Sequence, residues 1–137
     1  MKNQNFTFLF IIFLFFVSCD NTISSGAPDD TMRAFIEKMK LLDFEGAKEF
    51  TTNNTDATLD FLSTRIQILK DMGKEEQIPT LFGGIDFTQA TATCVTKESR
   101  ATCKCCEENS DNCKDISVVQ EGGKWLINIP KEATIHN

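Results

Sequence analysis

Five cysteines within one stretch, Cys94, Cys103, Cys105, Cys106 and Cys113, are the residues whose type and spacing carry chemistry in this chain. Thiols placed so closely have three uses: cross-linking the backbone, holding a soft metal, or exchanging electrons as a dithiol. Structural zinc sites take their cysteines as knuckles separated by about two to four residues. Here Cys103-x-Cys105-Cys106-x6-Cys113 puts one pair a single residue apart and the next pair adjacent, which does not build knuckles. A redox dithiol sits as Cys-x-x-Cys at a helix N-terminus, and that motif is absent. Inert free thiols are the remaining reading. The choice depends on compartment, because disulfides persist in oxidising surroundings and are rare in a reducing cytosol.

The sixth cysteine bears on that choice. Cys19 follows a short charged start, Met1-Lys2-Asn3, and an apolar run from Phe6 to Val17, and polar sequence begins directly after it. A run of about twelve apolar residues has the length of a secretory h-region and is too short for a comfortable membrane span. Phe16-Val17-Ser18-Cys19 resembles a bacterial lipobox, although Phe16 stands where leucine is commonest and Val17 where Ala, Ser or Thr is usual. The resemblance implies a lipoprotein signal peptide over residues 1–18 and a lipid-modified Cys19, palmitate included, as the new N-terminus. Residues 19–27 then form the lipidated cysteine and a flexible tether. An ordinary leader cleaved near Ser18 or Ser25, or an uncleaved anchor, is the alternative. One buried acyl chain anchors only marginally, at ~0.8 kcal/mol per methylene, so the two or three chains of a bacterial lipoprotein hold permanently. The expected location is therefore the bacterial cell envelope, lipid-anchored to a membrane. Asp20 marks inner-membrane retention in enteric bacteria, but that rule does not transfer between bacterial groups, and inner versus outer membrane stays open.

Composition narrows the function further. The chain has 137 residues and a formal net charge of −6, and leader removal takes away one more cation, Lys2. An acidic surface excludes nucleic acid as the expected partner and adds no attraction to anionic lipid. The chain contains no Tyr, one Trp and one His. No cofactor-binding motif is present, and a single α+β domain over residues 28–130 with a C-terminal tail over 131–137 accounts for the remainder.

Two or three helices are expected first. Pro28 suits a first helical position, Asp29 and Asp30 complement the helix dipole, and Met32, Phe35, Ile36 and Met39 form one buried stripe. Asp43 caps a second, short helix with Phe44, Ala47 and Phe50 inward, which Gly46 weakens. Asn54 or Thr55 caps a third, whose inward set is Leu59, Leu62, Ile66 and Leu69 with Phe61 and Met72 flanking, and Gly73 ends it. A polar linker, Lys74 to Pro79, separates these from residues of period two. A short strand within Leu81 to Phe87 is expected, then strands over Gln89–Thr96, Arg100–Glu107, Cys113–Gln120 and Trp125–Ile129. Turns at Glu98-Ser99, Asn109-Ser110 and Gly122-Gly123 join the last four.

Those turns fix a register that fits itself. Cys94 opposes Cys103, Cys103 opposes Ile116 and Ile116 opposes Ile129, while Ala101, Val118 and Ile127 line up. A one-residue slip would mix this apolar face with the polar one. The register also narrows the disulfides. Cys94 and Cys103 form a non-hydrogen-bonded pair, about 4.5 Å between Cα atoms, inside the disulfide range. Cys106 and Cys113 oppose each other at what the turn count makes a hydrogen-bonded site of about 5.5 Å. Cys105 is left as a free thiol; Cys105–Cys113 with Cys106 free is the runner-up.

Pro28 with Phe35, the Asp43-Phe44 and Ala47 cluster, Ala90 to Thr93, and Gly123-Lys124-Trp125 give the chain a resemblance over roughly residues 28–129. It is similar to small bacterial lipoproteins of the DUF4878 type, a lumazine-binding-like domain family of unknown function. The resemblance implies a cone-shaped nuclear transport factor 2-like (cystatin-like) fold, with helices packed on a curved antiparallel meander of four to five strands. It supplies no catalytic residue. The cysteine-rich second hairpin departs from the family. Enzymes of this fold place an acid or base in the cone with Tyr or His donors. Here Tyr is missing and His136 is penultimate. Asp60 and Asp86 read as solvated or turn residues, Trp125 as a packer, and Glu75-Glu76 and Glu107-Glu108 as solvated charge. Asn53-Asn54-Thr55 reads as a helix cap and Asp30-Thr31-Met32 as a weak O-glycosylation triplet.

The expectation is a non-enzymatic, membrane-tethered module that binds a small apolar ligand or an envelope protein. Its rivals are an enzyme using an apolar cone pocket and metal or redox handling through Cys94–Cys113. Oligomeric state is left open. Globomycin should block maturation, and Cys19→Ala should release the protein from washed membranes; normal maturation under the drug contradicts lipidation.

Overall fold

The computed structural model describes residues 26–130. Cys19, the leader and the 131–137 tail fall outside the described residues. Helix α1 spans Pro28–Lys40, with Pro28 at its start, Asp29 and Asp30 in the first turn, and Lys38 and Lys40 in the last. Its stripe of Met32, Phe35, Ile36 and Met39 is buried. Helix α2, Phe44–Ala47, continues as a 3-10 turn over Lys48–Phe50. Asp43 caps it, accepting from the Gly46 N–H at 2.9 Å and pairing with Lys38 Nζ at 3.0 Å. The Gly46 amide, then Lys38, hold that carboxyl below its ordinary range. Gly46 lowers helix propensity, yet a Cβ there would run into the Asp43 carboxylate.

Helix α3 spans Asn53–Asp71 and its N-cap is Thr52, not Asn54 or Thr55. The earlier start has a physical cause: Thr55 lies on the buried face, where its hydroxyl is engaged by the sheet. Leu59, Leu62 and Ile66 are buried as expected, Leu69 is half-buried, and Phe61 and Met72 are exposed.

The sheet is an antiparallel meander of β1 (Ala90–Lys97), β2 (Arg100–Glu107), β3 (Cys113–Glu121) and β4 (Lys124–Asn128), in that spatial order. Cys94 pairs Cys103, Cys103 pairs Ile116, and Ala101, Val118 and Ile127 align. The described residues are thus α+β, with three α-helices and a four-stranded meander.

The short strand expected within Leu81 to Phe87 is not formed, and Lys74 to Pro79 is not a plain linker. Residues Glu75–Phe82 and Phe87–Gln89 are 3-10 turns. Pro79 has no N–H for a ladder, and Gly83 and Gly84 both turn the chain at positive φ, 68° and 82°, so no extended run remains.

The β2–β3 connection also differs. Glu107 N–H donates to Asn112 O at 3.2 Å, which closes a four-residue loop, not a two-residue one. The register is unchanged but its parity is reversed, so Cys106 and Cys113 form a non-hydrogen-bonded pair. Strand alternation requires this. Counting from the Lys97–Arg100 pair that closes the first turn, Cys106 spends its backbone groups on β1 and has none for β3. The Cα separation is 4.1 Å, far below the 5.5 Å of a hydrogen-bonded site.

Among the described residues no fifth strand covers β4. Its outer edge is taken by the chain that enters α3. Thr51 makes an isolated parallel bridge to Ile127, and Thr52 N–H donates to Ile127 O at 2.9 Å. Thr55 Oγ1 donates to the same carbonyl at 3.0 Å and accepts from Ile129 N–H at 2.7 Å. Thr31 Oγ1, from α1, donates to Trp125 O at 3.2 Å. At the opposite edge Asp29 Oδ1 accepts the outward N–H of Cys94 at 3.0 Å. Among the described residues every buried side-chain nitrogen and oxygen has a partner.

Replacing Thr55 with Val removes the hydroxyl's bonds to Ile127 O and Ile129 N–H and leaves a half-buried amide unpaired. The expected loss is ~2 kcal/mol in urea unfolding, with Thr55→Ser recovering most of it. A Val variant as stable as the parent contradicts the role given to this hydroxyl.

Candidate functional site

Between α1, α3, the Glu75–Phe82 turn and the sheet lies a cavity of about 450 Å³, inside the range of small-molecule sites. Its floor is apolar, made by Phe35, Leu59 and Cys105, all fully buried. Phe82 and Phe87 bring the wall that the missing strand would have supplied. Phe87 meets Phe35 edge-on at 6.2 Å and Phe82 edge-on at 5.1 Å, a favoured aromatic geometry. The mouth is polar at exposed Lys114.

This wall is held by side chains of the β2–β3 hairpin end. Glu107 Oε1 accepts from Asp86 N–H at 2.6 Å, Asn112 Nδ2 donates to Gly84 O at 2.7 Å, and Glu108 N–H donates to Gln89 O at 2.8 Å. Glu107 is therefore half-buried and structural, not the solvated charge expected of it. The Cys106–Cys113 disulfide closes that same hairpin end, on the outer face. A second disulfide joins Cys94 and Cys103, 3.9 Å between Cα atoms, on the helix-facing side. Both are pairs that the register places directly opposite. The bridges thus brace the two hairpins, and Cys106–Cys113 braces the part that fastens the cavity wall.

Cys105 is free and buried. Burial pushes its thiol up to about 11, so it is protonated at neutral pH and is neither a ready nucleophile nor a thiolate ligand. Among the described residues no group of three or more His, Cys, Asp or Glu is arranged to hold a metal.

The remaining sequence candidates scatter. Asp86 caps the Phe87–Gln89 turn through Thr88 N–H. Asp60 lies 2.6 Å from Lys48 Nζ, with Glu45 at 2.7 Å on the other side; these two carboxylates, Asp60 first, hold the ammonium above its ordinary range. Neither aspartate lines the cavity, and Asp115, at its rim, has its side chain on the outer face of β3. Trp125 is buried at the α1–β4 contact. Thr31 is fully buried and bonded to the backbone, which closes it to glycosylation. Asn53 and Asn54 form the first turn of α3. His136 lies outside the described residues.

Sequence reasoning missed Lys114, Glu107 and the buried threonines. For the threonines a signal existed: Thr51, Thr55 and Thr58 recur at i, i+4 and i+7, the same helical spacing as an apolar stripe. No helix among the described residues is long and apolar enough to cross a membrane. No family model, curated protein or solved structure matches the chain.

Two outcomes test this site. Cys106→Ser/Cys113→Ser should lose ~2–3 kcal/mol in denaturant unfolding and speed alkylation of Cys105, because the wall loosens; unchanged alkylation separates the bridge from the wall. The raised Cys105 pKa also carries a pH dependence. Its contribution is fully present below the ordinary thiol value of 9.0 and is lost as pH climbs toward about 11. Stability measured across that window should fall, and Cys105→Val should flatten the fall; an equal slope in both proteins contradicts the assignment.

Proposed function

We propose that this chain is a non-enzymatic binding module of the bacterial cell envelope, anchored through lipid on Cys19, that holds a small apolar ligand between its helices and its sheet. The observation that carries the reading is the cavity itself, about 450 Å³ and floored by Phe35, Leu59 and Cys105. A packed interior of this size would close such a space unless something used it, because interiors are ordinarily dense and voids cost stability. Its chemistry favours binding over catalysis. Among the described residues no buried carboxylate, histidine or tyrosine lines the wall, and Cys105 is held as a neutral thiol. The order of elements, helices first and then an antiparallel meander with its apolar face toward them, supports a cone-shaped nuclear transport factor 2-like architecture. It likewise supports kinship with the DUF4878-type lumazine-binding-like lipoproteins. The two disulfides suit an oxidising compartment, and the lipobox-like sequence before Cys19 supplies the anchor.

Native mass spectrometry of the protein extracted from its own membrane tests this reading. A discrete mass in excess of the lipidated polypeptide, lost on unfolding, is expected. A bare lipidated mass, with Leu59→Trp tolerated at full stability and no ligand displaced, contradicts it.

A further inference from the structure

The cavity combines an apolar floor with one positive charge at its mouth, and that pairing says what kind of ligand fits. Lys114 sits directly opposite Cys105 in the β2–β3 register, so both side chains leave the same, helix-facing side of the sheet. Along the four strands Lys114 is the only cation on that side; Ile116 and Val118 follow it on β3. Its stem crosses Gly83, where an added Cβ would lie 2.9 Å from Lys114 Cε. Glycine at that crossing lets the lysine reach over the rim between β3 and the wall. The arrangement is that of a snorkelling lysine, apolar stem on apolar surface and ammonium in water. Among the described residues its ammonium has no carboxylate within ion-pair distance. The nearby acids are otherwise placed: Asp115 leaves the opposite side of β3, and Glu107 is committed to Asp86 N–H.

Deepening the binding reading above, on which it rests, we infer that the ligand is an amphiphile with an anionic head, bound with one tail inward, its head held at the rim by Lys114 and that tail running to the floor at Cys105. The apolar floor supplies affinity for any tail, and the rim charge discriminates between heads, the usual division of labour in such sites. A carboxylate on a free fatty acid and an anionic head on a bilayer lipid present the same chemistry to the lysine.

The test uses the lipidated protein reconstituted in phosphatidylcholine vesicles, with flow dialysis of radiolabelled decanoate, decanol and decylamine against protein-free vesicles. Decanoate should bind at least tenfold more tightly than decanol, with decylamine weakest. Lys114→Met keeps the stem over Gly83 and should bring decanoate down to the level of decanol, while Lys114→Arg should keep the preference. A parallel set of vesicles containing phosphatidylglycerol identifies the source: competition with decanoate supports a bilayer lipid, and unaltered decanoate binding supports the free acid. Equal binding of decanoate and decanol, or a preference that survives in Lys114→Met, overturns the inference and leaves the cavity a binding site. If none of the three binds above protein-free vesicles, it is the binding reading itself that fails.

Discussion

The structure depends on how the outer edge of β4 is closed. A four-stranded meander leaves two rows of backbone groups without a ladder, and an uncovered edge is a template for unwanted pairing. At β4 the chain uses hydroxyls where another fold would use a strand. Thr52 N–H and Thr55 Oγ1 both reach Ile127 O, and Thr55 Oγ1 also receives Ile129 N–H. This draws the start of α3 against the C-terminal end of β4. Because β4 ends at Asn128 and Pro130 follows, the first residues of β3 run on without a neighbour. The cavity lies beside that uncovered edge, next to the clasp, lined by Ile116, Asn128 and Ile129. Holding α3 at the last residues of β4 while β3 runs on past them leaves this small fold an interior space.

Much of this was legible in the sequence because it rests on periodicity. Met32, Phe35, Ile36 and Met39 recur as a helix demands, and the hairpin turns at Glu98-Ser99 and Gly122-Gly123 fix a register that a single slip would ruin. That register put Cys94 opposite Cys103 and favoured Cys106–Cys113, with Cys105–Cys113 left as an alternative that the structure does not form. What periodicity does not encode is how a segment satisfies its backbone through side chains far away in sequence. Leu81 to Phe87 looks like a short strand by composition, but its polar groups go to Glu107 and Asn112, some twenty residues on. Thr55 looks like a cap and is a clasp. The parity of Cys106 and Cys113 was misread because a four-residue loop and a two-residue turn share a register; only the neighbouring strand β1 decides between them.

The cysteines divide their tasks by where they stand. Cys94–Cys103 lies on the helix-facing side of the first hairpin, and Cys106–Cys113 lies on the outer side of the second, next to the residues that hold the cavity wall. A small domain has little core to spare, so covalent bracing is an economical way to keep a partly empty interior from collapsing. Cys105 stands apart. Its neutral thiol behaves as a small apolar side chain, and it belongs to the floor on which a ligand would rest.

A crystal structure of the protein taken from its own membrane without detergent would bear most directly on this account. It should show continuous density from the floor at Phe35, Leu59 and Cys105 out to Lys114 Nζ, with the Gly83–Gln89 wall in place. An interior closed by Leu59, Leu62 and Phe82 packing onto Ile116, with no space left between helices and sheet, would contradict it.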